Sequence, residues 1–376
     1  MCERNQHVCC IRPLKNNFVN GFISAISPHL LIRVFLIFLF LLYLSSCYCQ
    51  GTDYYPDKTW RVSTPTEQKL DSASLRLFVD SLNNSSSVII IKNGYNVLEK
   101  YSEKFPKDYF HNMHSFTKTI TATMVGIALD EGYINNINEK VLSFFPKLQI
   151  ENNDSLKKLI TIKHLLTMTS GLEWLEWKGG DDVNMFQSNK VNWIPYILNK
   201  KMVYTPGDSF CYNSGVPFIL SAIVSMQTGM PTNEYAKQKL FKPIGIDSVN
   251  WERKSPEGIT TGGWGSYFKL ADMARIGYLY LKKGKWKDKQ IVPEAWIREA
   301  TRKQVEVKEE DDDYGYQCWI IKEFPKAAYA ARGWYGTHYA YVIVIPDENL
   351  LIAMAGEVDY YKAKRLIKRY IFNVKQ

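Results

Sequence analysis

No C-x-x-C pair occurs among the seven cysteines of this 376-residue chain, and no H-E-x-x-H among its six histidines. A structural zinc site and the commonest zinc-hydrolase centre therefore have no support. No G-x-S-x-G elbow is present either, which leaves an α/β-hydrolase triad without its nucleophile turn. No repeat period and no low-complexity tract is visible, so solenoids and disordered scaffolds are set aside. What is abundant is apolar and aromatic character, 46% and 14% of residues, enough for one large core or two lobes.

Long apolar runs are scarce as well. The one clear run, Val34 to Leu44 (VFLIFLFLLYL), falls short of the roughly 20 residues a bilayer span needs and matches the core of an export signal. It ends in Leu44-Ser45-Ser46-Cys47, which resembles the lipobox of bacterial lipoproteins and implies acylation at Cys47. An uncleaved anchor over Leu30 to Tyr48 and simple cleavage are the alternatives, and each delivers the body outside the cytoplasm. Residues 1–46 are thus expected to be a signal peptide or membrane anchor, and 47–63 a linker.

The formal net charge is +9, and Arg4, Arg12, Lys15 and Arg33 in the leader carry part of it. In the body a basic terminal helix (Lys362, Lys364, Arg365, Lys368, Arg369) is offset by the acidic run Glu309 to Asp313. Such a helix reads as a solvated face, and no nucleic-acid partner is expected. Cys211 and Cys318 are expected to be free buried thiols, with a disulfide between them as the alternative.

Along the body, Thr64 to Leu82 has helical periodicity with Thr64 or Thr66 as cap. Ser87–Lys92 and Asn96–Tyr101 flank Asn93-Gly94, the strongest short hairpin signal. From Tyr109 to about Trp251 the pattern is mainly helical, without convincing strand pairs. Strand signals return at Tyr314–Ile321, Tyr339–Pro346 and Leu350–Ala355, and Tyr360–Val374 closes as an amphipathic helix. The expected fold class is α+β: an antiparallel sheet flanked by terminal helices (sheet lobe 64–108 and 252–376) plus a mainly helical lobe (109–251), with a site in the cleft between them.

In NMHSFTK, Ser115 and Lys118 stand three apart at the start of a helix whose Phe116, Ile120, Met124, Ile127 and Ala128 recur at helical spacing, with Gly132 as its stop. Ser115 has two readings, a helix cap or a nucleophile. The histidines offer no obvious base. Lys118, one turn on, faces the same side, and a lysine takes a proton near neutral pH when burial disfavours its charge. In TPGDSFCYNSG, Tyr212 precedes an apolar helix and is a candidate proton relay. AARGWYGTHYAYVIVIP enters a strand through glycines, where Gly333 lets substrate approach the backbone. An oxyanion would take one N–H from Ser115 and one from the adjacent strand edge. Trp174, Trp177, Trp264 and Trp334 are candidates to line the cleft.

These elements in this order resemble the serine β-lactamase and penicillin-binding-protein superfamily, in the branch holding class C β-lactamases, D,D-peptidases, esterases and 6-aminohexanoate-dimer hydrolases. LLTMTSGLEW, TPGDSFCYNSG and GITTGGWGSYFKLADMARIGYLYLKKGKWKDKQIVPEAW carry the likeness, which runs from about Thr66 to the C-terminus. It implies Ser115 as the acylated serine, Lys118 as its partner and Tyr212 as the tyrosine of Tyr-x-Asn. Ala331-Arg332-Gly333 falls where a β-lactamase has Lys-Thr-Gly, with Trp334 giving the second oxyanion N–H. Two departures count against efficient penicillin hydrolysis: Ala331 lacks the ammonium, and Ser214 replaces the asparagine. Asn213, Ser214, Arg332 and Gly333 are taken as substrate-side residues.

The reading is an exported, membrane-attached serine hydrolase acting on a small ester or amide without metal or cofactor. The alternatives are a D,D-peptidase or β-lactamase, and a non-catalytic binding or scaffolding relative.

Overall fold

Asn93 and Gly94 both take positive φ, 54° and 77°, the demand of the tight turn that best matches strand twist. They join β1 (Ser86–Lys92) to β2 (Tyr95–Lys100) as the sequence predicts. The computed structural model describes residues 54–373, apart from residues 83, 152–153, 177–180 and 189, together with Arg33 and Ile37. The chain from Tyr55 onward is one unit, and the rest of the leader, Cys47 and Trp177 lie outside the described residues. Among the described residues no helix is long and apolar enough to cross a membrane.

Among the described residues ten α-helices and eleven strands follow in order. After α1 (Ser72–Asp80), β1 and β2 come a two-residue β3 (His111–Asn112) and the helical stretch α2 (Phe116–Asp130), α3 (Ile162–Leu166), α4 (Asp181–Met185), α5 (Trp193–Leu198), α6 (Gly215–Thr228) and α7 (Thr232–Ala236). Then β4 (Tyr267–Phe268), α8 (Leu270–Leu281), β5 (Lys285–Trp286), β6 (Lys289–Gln290) and α9 (Glu294–Ala300) lead to β7 (Asp312–Tyr314), β8 (Trp319–Ile321), β9 (Ala328–Tyr335), β10 (His338–Ile345), β11 (Leu350–Gly356) and α10 (Tyr360–Tyr370). Seven strands form one sheet in the order β2-β1-β11-β10-β9-β8-β7, and every pair in it is antiparallel. The expected class holds.

Both faces of this sheet are covered, which explains why its central strands read as unbroken apolar runs rather than as alternation. Val88, Ile90, Ile343, Ile345 and Ile352 face Leu75 and Phe78 of α1 and Ala363 and Ile367 of α10. The alternate residues Ile89, Ile91, Val342, Val344 and Leu351 join the larger core that contains α2, α6 and α8. The terminal helices therefore close one face, and the intervening helices close the other.

Two local expectations need correction. The first helix starts at Ser72, because Asp71 accepts from the backbone N–H groups of Ala73 and Ser74, while Thr64 to Lys69 forms turns in which the Thr64 N–H donates to Glu67. The helical stretch also begins with a short strand, since β3 pairs with β4, which lies beyond the end of that stretch. Two residues are too few to show a period, yet this pair delivers the chain to Ser115.

Candidate active site

Ser115 sits at the mouth of α2, and the residue before it, His114, is held at φ 44°. A non-glycine residue in that region stores strain that the surroundings must over-determine. The Ser115 side chain makes no capping hydrogen bond. Instead its Oγ accepts from Lys118 Nζ at 2.8 Å. Of the two readings open in the sequence, capping is the one the geometry removes.

Lys118 is 2% exposed. Its Nζ also donates to Ser214 Oγ at 3.1 Å and to the Gly263 carbonyl at 3.1 Å, so three acceptors surround a group with three donor positions. The Tyr212 ring centroid lies 5.0 Å from the same nitrogen, and the ring stacks on Trp319 at 6.1 Å. α2, the turn before α6 and the loop before β4 thus converge on one ammonium-sized space.

Asn213 does not face this space. Its Oδ1 accepts from the N–H groups of Gly215 and Val216 at 2.7 and 3.2 Å, and the residue is 1% exposed. It caps α6, which corrects its assignment to the substrate side. Because Asn213 does the capping, the Ser214 hydroxyl is released, and it donates to Glu176, whose other oxygen accepts from the Ser214 N–H at 2.9 Å. Glu176 was not legible as a site residue. A lone glutamate between Leu175 and Trp177 carries no spacing signal, and only the fold brings it 38 positions along the chain to Ser214.

Gly333 on β9 meets the helix start directly. A Cβ at this position would fall 2.2 Å from Met113 O and 2.5 Å from Ser115 N. The glycine thus admits the neighbouring backbone, and Trp334 follows at the rim, 49% exposed and stacked on Tyr339 at 6.2 Å. Arg332 lies 3.8 Å over Trp319 and 4.6 Å over Tyr360, and its guanidinium pairs with Glu310 at 3.1 Å. Burial works against that charge, but Tyr360, Tyr361 and Glu310 more than offset it.

Ser115, Tyr212, Arg332, Gly333 and Trp334 line one groove of about 290 Å³ together with Phe210, Trp319, Tyr339, Tyr360 and Tyr361. A larger hollow of about 490 Å³, between Phe110, Phe241 and Trp251, contains none of the reactive groups. Chemistry rather than size locates the site. Trp174 and Trp264 do not line this groove, which corrects their assignment: Trp174 is 7% exposed with its Nε1 on Glu176, and half-buried Trp264 packs 4.4 Å from Phe186, which also meets Trp193. Trp319 takes the groove-lining place expected of them. Cys211 and Cys318 are free thiols, and burial raises that of Cys318 to about 12. Among the described residues no three His, Cys, Asp or Glu side chains are placed to share a metal ion.

A profile of the Beta-lactamase family matches residues 78–374. The chain belongs to the β-lactamase family. Among similar proteins, Esterase EstB of Burkholderia gladioli is 23% identical over 220 residues, 51% of this chain and 56% of the esterase. An uncharacterised protein of Alkalihalophilus pseudofirmus is 23% identical over 312 residues, 72% of this chain and 83% of its own. Among solved structures, an octameric penicillin-binding protein homologue from Pyrococcus abyssi superposes with a TM-score of 0.64 at 20% identity, covering 80% of this chain and 75% of that one. A D-stereospecific amidohydrolase from Streptomyces sp. gives 0.64 at 15% identity, covering 81% and 100%. At these identities the superpositions establish a shared β-lactamase-family fold.

Proposed function

We propose that this β-lactamase-family protein is a serine hydrolase that cleaves a small ester or amide through an acyl-serine intermediate. The observation that carries the reading is the 2.8 Å contact between Lys118 Nζ and Ser115 Oγ, made at a half-buried serine that opens into an aromatic groove. As Ser115 Oγ bonds to the substrate carbonyl carbon, its proton passes to the Lys118 amine. Tyr212, on the same groove wall, returns a proton to the leaving group. Negative charge on the carbonyl oxygen is met by the Ser115 N–H at its helix start and by the Trp334 N–H one residue beyond Gly333. Water then cleaves the acyl-serine by the reverse proton route.

Neutral esters and amides fit the groove better than β-lactams do. Position 331 carries no ammonium, and the Arg332 guanidinium is already engaged by Glu310 and three rings. A substrate carboxylate would have to displace that pairing. The names of an esterase and an amidohydrolase among the similar proteins support the same class. Export and membrane attachment through the apolar run and Cys47 are proposed on the sequence alone, and the mass of the mature N-terminus tests them.

The test of the reaction is intact mass after exposure to a fluorophosphonate, alongside Ser115→Ala. One adduct, lost in the variant, is expected. A folded protein with no adduct would move the reading to a non-catalytic binding relative.

A further inference from the structure

Lys118 Nζ lies within hydrogen-bond distance of three oxygens, Ser115 Oγ, Ser214 Oγ and the Gly263 carbonyl, a set able to hold an ammonium with every N–H paired. A charged lysine cannot take the Ser115 proton. The acid–base scheme therefore requires a second group to receive a proton from Lys118 before or as the serine attacks, and the hydrogen bonds point to one.

We infer that Glu176 receives this proton through the Ser214 hydroxyl, acting as a positioning residue that sets which partner holds the proton. The chain is continuous: Lys118 Nζ donates to Ser214 Oγ at 3.1 Å, and Ser214 Oγ donates to Glu176 Oε1. In the transfer one Nζ–H bond breaks and an O–H bond forms on Ser214, while the original Ser214 O–H breaks and an O–H forms on Glu176. One proton moves from ammonium to carboxylate, and no other reactant is needed. The amine left behind then accepts the Ser115 proton as the Oγ–carbon bond forms.

Two further contacts fix the carboxylate for this use. Glu176 Oε2 accepts from the Ser214 N–H at 2.9 Å and from Trp174 Nε1 at 2.6 Å, which turns Oε1 toward the hydroxyl. Asn213 supplies the α6 cap that serine would otherwise provide. The departure from Tyr-x-Asn at Ser214 is thereby explained. A hydroxyl both accepts and donates along one line, whereas an amide cannot pass a proton on in this way.

The inference rests on the serine-hydrolase reading and makes a separate prediction. With Glu176 present, the reactive tautomer has the same number of protons as the resting pair, so it forms without loss of a proton to solvent. Without the carboxylate, Lys118 must release that proton to water, and the acidic limb of the pH–rate profile must rise. The other titratable groups around the chain are Tyr212, Cys211, Tyr314 and His114. Burial first, and Glu176 second, raise the Cys211 thiol; burial raises Tyr314 well above its ordinary value; and burial, His338 and Lys118 bring His114 down to about 4. All four residues are retained in every variant.

The experiment measures the second-order rate of fluorophosphonate labelling from pH 5 to 10 for the full chain, Glu176→Gln, Ser214→Ala and Ser214→Thr, with melting curves for each. The expected result is an acidic limb displaced upward by more than about one pH unit in Glu176→Gln and Ser214→Ala, a loss of at least about tenfold at pH 6 that high pH restores. Ser214→Thr keeps the hydroxyl and should restore the position of the acidic limb relative to Ser214→Ala, whatever its plateau rate. A uniform drop at every pH, or an unchanged profile with a lower melting temperature, would mean that Glu176 only clips its loop to α6, and would overturn the inference while leaving the hydrolase intact. If Glu176→Gln does not fold, Ser214→Ala decides alone. No labelling of the parent protein at any pH removes the hydrolase reading, and this inference with it.

Discussion

Gly333 and Ser115 touch backbone to backbone: a Cβ on residue 333 would lie 2.5 Å from the Ser115 nitrogen and 2.7 Å from that of Phe116. Main-chain atoms cannot rotate away, so any side chain at 333 must push β9 or the start of α2 aside. Gly333→Ala is expected to cost about 1 to 3 kcal/mol in stability through overpacking. It should also slow fluorophosphonate labelling at least about tenfold by misplacing an oxyanion donor. A melting curve and a labelling time course check both, and a parent-like rate would mean that this N–H is not used.

Lys118 can be removed with little change of volume. Lys118→Met keeps the stem among α2, α6 and the loop before β4 but takes away the proton acceptor. Labelling should fall by about 10² to 10⁴, the range general base catalysis contributes. Circular dichroism should remain that of the parent. A modest fall would place the base elsewhere, with Tyr212 the first residue to replace.

How much of this was legible beforehand follows from the range of each signal. Ser115, Lys118 and the α2 pattern are separated by one helical turn, and Asn93-Gly94 is a local turn, so both lie within reach of sequence spacing. Glu176 and Ser214 meet only because the loop after α3 folds back on α6, and no period encodes that contact. Asn213 misled because a residue next to a motif position looks like part of it. Its amide in fact satisfies the α6 N-terminus, a demand visible only once the helix start is known. The tryptophans were ambiguous for a similar reason: Trp174 and Trp319 are equally aromatic on paper, and the fold sends one to the core and the other to the groove wall.

Behind that wall lies a fully buried ion pair. Lys364 Nζ and Asp312 Oδ1 are 2.8 Å apart with both side chains 0% exposed, and the Tyr360 hydroxyl donates to the other Asp312 oxygen at 2.9 Å. The pair fastens α10 to β7 and holds Tyr360 against Arg332. Among the described residues, Asp312→Ala leaves the Lys364 ammonium with Glu323 at 3.0 Å as its one remaining carboxylate, beside the Tyr360 and Tyr361 rings. The expected loss is about 3 to 5 kcal/mol. Asp312→Ala combined with Lys364→Met should cost less than Asp312→Ala alone, because no uncompensated charge stays buried. Equal losses in denaturant titrations of the two variants would place the pair in solvent contact instead.

His111, His114 and His338 make the last prediction one of pH. His111 Nδ1 and His338 Nε2 are 3.2 Å apart, the rings of Phe105 and Tyr109 pack on His111, and His114 Nε2 and His338 Nδ1 have no hydrogen-bonding partner among the described residues. Burial, with His338 adding to it, brings His111 down to about 3, and burial likewise lowers His338, beside Lys104 and Glu357. A histidine lowered in the folded state binds its proton first in the unfolded chain. Stability is therefore complete above about pH 6.5 and falls as pH drops through the window toward the folded values, by at most about 1.4 kcal/mol per pH unit for each histidine. Asp272 acts in the opposite sense, since burial raises it to about 6 and the folded state gains that proton first. The net slope is thus partly cancelled, and a variant isolates the histidine share. His111→Leu should lose less stability than the parent between pH 6.5 and 4.5, read from melting temperatures. Parallel curves for the two proteins would show that this histidine is already solvated and free to charge.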